Sequence, residues 1–195
     1  GESESDAAVS EIHLPGGRWL KISERRTKSG GHVNVGTDIT AIKEQEAALT
    51  AVSQWLKRGD SQVFRLFGYA GTGKTTLAKA LAEGVDGDVL FAAFTGKAAQ
   101  VLREKGCESA RTIHSLIYRP RGEELVEDEE SGKTQVNPTF SLNRTSAVSK
   151  AKLVIVDECS MVDEALGRDL LSFGTPVLVL GDPGQLPPIS GGGFF

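Results

Sequence analysis

Residues 68 to 75 read Gly68-Tyr69-Ala70-Gly71-Thr72-Gly73-Lys74-Thr75, the spacing G-x-x-x-x-G-K-[ST]. That pattern is suited to holding the phosphates of a nucleoside triphosphate. Glycines at Gly68, Gly71 and Gly73, with small residues at Ala70 and Thr72, let the backbone curl and turn its N–H groups inward toward anionic oxygens. Lys74 adds a positive charge beside the β- and γ-phosphates. The Thr75 hydroxyl can ligate Mg²⁺, and Thr76 begins the helix that must follow, whose N-terminus favours bound anions.

Such a loop works only between a strand and a helix. Val63-Phe64-Arg65-Leu66-Phe67 is a β-rich run before it. Thr76 to Glu83 is a run of good helix formers, with Leu77, Ala80 and Leu81 on one face. A triphosphate site also needs an acidic residue at the end of a second buried strand. Leu153-Val154-Ile155-Val156 is a continuous apolar run, as a central parallel strand requires, and it ends in Asp157-Glu158. Asp157 is the candidate metal ligand, and Glu158 the candidate base for an attacking water. The acidic pair has a second reading, since Ser160 or Asp157 could cap a helix starting near Met161.

Longer stretches resemble superfamily 1 DNA helicases. Asp157-Glu158-Cys159-Ser160-Met161-Val162-Asp163 is similar to their motif II, and Gly181-Asp182-Pro183-Gly184-Gln185-Leu186-Pro187-Pro188-Ile189 to their motif III. The likeness is strongest to the RecD/Dda-like branch, which moves 5′ to 3′ on single-stranded DNA, and it covers roughly residues 43 to 195. The resemblance implies a RecA-like P-loop NTPase that uses ATP and Mg²⁺. It implies that Gln45 reads adenine, since an amide can meet adenine's donor and acceptor together. Lys74, Glu158 and Gln185 become the catalytic set, with Gln185 sensing the γ-phosphate. Thr95, Gly96 and Lys97 resemble motif Ia, which grips the single-strand backbone; a hydroxyl and backbone N–H groups at a helix start suit a phosphate. Thr112 and His114 resemble a further DNA-contacting segment.

From Val63 onward the expected order alternates strand and helix, which implies an α/β fold with a mostly parallel sheet flanked by helices. Strand 176–180 delivers Gly181 and Asp182 at its carboxyl end, where α/β folds bind ligands. The chain has 195 residues, 39% of them apolar, enough for one main domain and an appendage. A net charge of −4 excludes a polybasic nucleic-acid binder, so any DNA contact must be local. Cys107 and Cys159 show no metal-ligand spacing and read as reduced thiols of a cytoplasmic protein. No secretory signal or membrane-length apolar run is present in the sequence.

Two regions depart from the alternating pattern. Residues 121 to 138 carry Glu123, Glu124, Glu127, Asp128, Glu129 and Glu130, and read as a solvated acidic loop. At the other end, residues 1–11 read as a disordered or tag-like segment. Residues 12–42 read as a β-hairpin resembling the closing strands of PAS sensor domains, including the Asp38-Ile39-Thr40 exit into a helix. Residues 43–195 form the P-loop domain, and a fusion joined at the shared helix from Ala41 to Leu49 is one account. The sequence ends at Phe195, after motif III, so a second RecA-like domain is expected as a missing partner. The expected function is an ATP-binding motor domain of a single-stranded-DNA-translocating helicase, weakly active and weakly DNA-binding alone. A PAS-linked signalling switch and a non-enzymatic ATP-binding fragment stand as the other readings.

Overall fold

The computed structural model describes residues 8–26, 32–68, 73–127, 134–182 and 194–195. It divides into two compact units, residues 1–51 and 52–195.

In the first unit, strands β1 (Ala8–His13), β2 (Trp19–Arg26) and β3 (His32–Asp38) form an antiparallel sheet in that order. Strand β1 pairs with β2 from Ala8↔Glu24 to His13↔Trp19, so residues 8–11, expected to be disordered, form part of a third strand. Val9 and Ile12, three residues apart, lie on opposite faces of β1, so no period-2 alternation marks this strand in the sequence. Helix α1 (Thr40–Arg58) opens in this unit. Its entry is fixed by Asp38, whose carboxylate accepts the Thr40 N–H at 3.0 Å and hydroxyl at 2.6 Å. Arg18 donates to the same carboxylate. Lys43 pairs with Glu11 at 2.7 Å and lies over the Trp19 ring.

The second unit is built on a five-stranded parallel sheet. Its strands are β4 (Val63–Phe67), β5 (Val89–Ala93), β6 (Arg111–Thr112), β9 (Leu153–Asp157) and β10 (Val177–Gly181), in spatial order β4-β10-β9-β5-β6. Helices α2 (Lys74–Glu83) and α3 (Gly96–Glu104) follow β4 and β5. Short helix α4 (Ile113–Ile117) follows β6, and α5 (Glu164–Leu171) links β9 to β10. The central strands β9 and β10 are almost wholly buried, which is why their sequences are continuous apolar runs. Ala92, Ile113, Val148, Val154, Val156, Leu170, Val177 and Val179 form the core around them. Among the described residues, no helix is long and apolar enough to cross a membrane.

Of the acidic segment, residues 121–127 and 134–138 form strands and not a loop, while Asp128, Glu129 and Glu130 lie outside the described residues. Strands β7 (Tyr118–Glu127) and β8 (Thr134–Leu142) pair antiparallel, with Glu123 opposite Pro138 and Glu124 opposite Asn137. Like charges directly opposite one another destabilise a ladder. Here β8 carries no acidic residue, so the negative strand faces a neutral one. The α5 boundary also differs. Residues Cys159–Met161 form a 3-10 turn, and α5 is capped by Asp163, which accepts the Leu166 N–H at 2.8 Å. Neither Ser160 nor Asp157 caps it.

Candidate nucleotide site

All five parallel strands end on one edge. The phosphate-loop lysine follows β4, Asp157 ends β9, and Asp182 follows β10. Gly73 sits at the N-cap of α2 with φ 79° and ψ 20°, a left-handed conformation that glycine adopts without steric cost. The first turn of α2 holds no acidic residue, so its exposed N–H groups face an anion unopposed. The Lys74 ammonium donates to the Gly68 carbonyl, just past the end of β4. Gly68 in turn donates its N–H to the Gly181 carbonyl at 3.1 Å.

These elements enclose a cleft of about 340 Å³ lined by Gly73, Lys74, Thr75, Thr76, Asp157, Glu158 and Asp182, among others. Cations and small residues stand on the α2 side, carboxylates on the β9 and β10 side. That donor set fits a polyphosphate with a hard divalent cation. Among the described residues no group of three or more His, Cys, Asp or Glu could hold a metal by itself. A cation shared between phosphate oxygens and one or two protein oxygens is how Mg²⁺ is ordinarily held, and Thr75 and Asp157 are the protein oxygens present for it.

Glu158 is exposed and has φ 55° and ψ 48°, the only non-glycine residue of positive φ described. An L-residue pays about 1–2 kcal/mol for that conformation, and such strain concentrates at functional positions. Asp157 accepts the Glu158 N–H at 3.0 Å, which fixes the peptide between the two carboxylates. Cys159, directly after, is buried, and burial pushes its thiol pKa up; both cysteines are free thiols.

Gln45 lies half-buried on α1, in the first unit. Ala70, Gly71, Thr72 and Gln185 lie outside the described residues. The cleft also draws Ala98, Val101 and Lys105 from α3. Their three- and four-residue spacing marks one helix face in the sequence, but not what that face meets.

The expected DNA-contacting residues stand at the same edge of the sheet. Thr95 caps α3, accepting the Ala98 N–H at 3.1 Å, and Gly96 and Lys97 are exposed on its first turn. Thr112 caps α4 in the same way through Ser115. Accepting a cap bond leaves the hydroxyl its donor function. His114 stacks against Tyr118 and Phe140, each at 4.6 Å between ring centroids. The Tyr118 hydroxyl donates to Asp169, and burial together with that carboxylate pushes its pKa up to about 12.

The AAA domain family (AAA_30) matches residues 41–195, and the chain belongs to that family. Among particular relatives, the ATP-dependent RecD2 DNA helicase of Deinococcus radiodurans is 38% identical over 134 residues, covering 65% of this chain and 16% of that protein. The ATP-dependent DNA helicase dda of Enterobacteria phage T4 is 31% identical over 156 residues, covering 76% of this chain and 33% of that one. A structure of two coordinating Pif1 helicases at forked double-stranded DNA superposes with TM-score 0.52 at 24% identity, over 77% of this chain and 38% of that one. That likeness concerns the fold: an α/β domain with a mostly parallel sheet between helices. The chain spans between about one sixth and one third of the length of these curated relatives.

Proposed function

We propose that this chain is the first RecA-like motor domain of a RecD/Dda-like DNA helicase, binding Mg-ATP in the cleft between α2 and the ends of β9 and β10. The observation that carries the reading is the meeting of Lys74, Thr75, Asp157 and Glu158 around one cleft. In this reading Lys74 neutralises the β- and γ-phosphates, Thr75 and Asp157 hold Mg²⁺, and Glu158 takes the proton of the attacking water. Gln185 senses the γ-phosphate and Gln45 reads adenine, both by resemblance. Ala70, Gly71 and Thr72 complete the phosphate cradle.

Thr95, Gly96, Lys97, Thr112 and His114 contact the backbone of single-stranded DNA in this reading, with translocation 5′ to 3′. The support is their place at the carboxyl edge shared with the cleft, and the names of the RecD2 and Dda relatives. Among the described residues the cations lining the cleft are Lys74 and Lys105, with no arginine. Phosphoryl transfer is ordinarily helped by an arginine at the γ-phosphate, and in this reading a second RecA-like domain supplies it together with the second DNA grip. Alone, the chain turns over slowly and binds DNA with a shallow salt dependence, because few phosphates are neutralised. Its place is the cytoplasm, consistent with two reduced, buried thiols. The reading of residues 12–42 as the closing hairpin of a PAS sensor, joined by fusion, rests only on two strands and the Asp38-Ile39-Thr40 exit.

Steady-state ATPase of the 195-residue chain, with and without single-stranded DNA, tests the proposal. We expect measurable hydrolysis and at most slight stimulation. Robust unwinding of a 5′-tailed duplex by this chain would contradict the need for a second motor domain. Absence of any Mg-ATP binding would favour an unrelated role for the cleft.

A further inference from the structure

The carboxyl ends of three active-site strands converge on one residue, Gly181. It is buried, stands opposite Phe67 in the β4–β10 register, and accepts the Gly68 N–H at 3.1 Å. A Cβ at this position would lie 2.5 Å from both Cδ1 and Cε1 of Phe67, and 3.1 Å from Sγ of Cys159. Carbon atoms in contact ordinarily sit about 3.5–4.0 Å apart. The Phe67 ring therefore lies directly on the bare Cα of Gly181. Because φ at Gly181 is not positive, space and not torsion demands the glycine.

The neighbours differ in how they could yield. Cys159 is 2% exposed, but its Sγ at 3.1 Å needs to give by only a few tenths of an ångström. Phe67 is 51% exposed, but it is bonded to Gly68, the first residue of the phosphate loop. A side chain at 181 would thus press on the ring, and through it on the point where β4 hands over to the loop. The same side chain would press on the residue after Glu158.

We propose that Gly181 is a positioning residue for the nucleotide site. Its missing side chain lets Phe67 and Cys159 close over one Cα, which fixes the start of the phosphate loop relative to Glu158 and Asp182. The proposal rests on the reading of the cleft as a Mg-ATP site, whose wall Gly181 joins.

The test is a double-mutant cycle on Mg-ATP affinity, measured by calorimetry on the 195-residue chain. Gly181→Ala should weaken binding about five- to tenfold, the scale of an overpacked contact partly relieved. In a Phe67→Ala background, the same change at 181 should shift affinity less than about twofold, because the ring no longer stands in the way. A loss that does not run through the Phe67 ring would appear in both backgrounds, and unfolding of both single variants by denaturant separates a loss of fold from a loss of affinity. If Gly181→Ala binds as wild type does, or is equally weak in both backgrounds, the proposal is wrong. If Gly181→Ala does not fold, Phe67→Ala/Gly181→Ala must fold and bind, and failure of that double variant overturns it too. Failure of the wild-type chain to bind Mg-ATP would be a different result: it removes the nucleotide reading, and the positioning role falls with it.

Discussion

The five-stranded parallel sheet and the three-stranded antiparallel sheet differ in what covers them. Strand β10 is buried at all five residues and β9 at four of five, whereas β3 is exposed at all seven. In the parallel sheet, every strand runs the same way, so the loops after β4, β5, β6, β9 and β10 reach one edge together. Burial on both faces fixes their register, since a slip would strand apolar side chains. The antiparallel sheet has no such constraint from a core and relies on turns and polar ties such as Arg18–Asp38. Precision for chemistry thus resides where the packing is dense.

The largest contrast should come from truncating one apolar residue in each sheet. Leu178 is fully buried in β10, and Leu178→Ala should cost about 2–5 kcal/mol. Val35 is 53% exposed in β3, and Val35→Ala should stay within about 0.5 kcal/mol. Denaturant unfolding followed by Trp55 and Trp19 fluorescence measures both, and similar costs would erase the distinction.

A second prediction separates shape from chemistry within the buried sheet's edge. Glu158→Gln keeps size and polarity but cannot take a proton. Mg-ATP binding should survive while single-turnover hydrolysis falls by roughly a hundredfold or more. Unchanged hydrolysis would leave the strained backbone at Glu158 without a catalytic purpose.

The smallest effect belongs to the exposed sheet. The Thr40 hydroxyl and N–H, then the Arg18 guanidinium, hold the Asp38 carboxyl well below the usual carboxylate range. Its stabilising contribution is therefore present above the unfolded value, about pH 4, and is lost as pH falls toward the lower folded value. Full exposure keeps the effect small. Protection of the Thr40 amide, taken relative to its intrinsic exchange rate, should begin to fall in wild type as pH drops below about 4 and be already low and flatter in Asp38→Asn. A steep acid response retained in Asp38→Asn would assign it elsewhere.

The same contrast governs what could be read from the sequence. The buried strands were legible, because a strand covered on both faces needs the unbroken apolar runs at 89–93, 153–156 and 177–180. The meeting of Lys74, Thr75 and Asp157 at one cleft was legible too, because each follows or ends a strand of the parallel sheet. Elements held mainly by backbone pairing were not. Strand β6 has two residues and no periodicity to detect. The β7–β8 hairpin hid behind six acidic residues whose charge suggested solvent, while the ladder beneath depends on register and a neutral partner strand. Strand β1 was lost in a polar terminus. Lys105 and Val101 were missed because they join the cleft through the packing of α3 beside α2, a relation no local window contains. Gly181 was visible as part of a motif, yet the reason for a glycine there lies in Phe67, 114 positions earlier.

The most direct test of the nucleotide site is a calorimetric titration of Mg-ATP into the wild-type chain and Lys74→Ala. Charge-assisted contacts of this kind contribute about 1.5–3 kcal/mol. The account predicts saturable binding by the wild type and an affinity at least about tenfold weaker for Lys74→Ala. Equal affinities for the two proteins would contradict it, because the cation facing the phosphates would then be doing nothing.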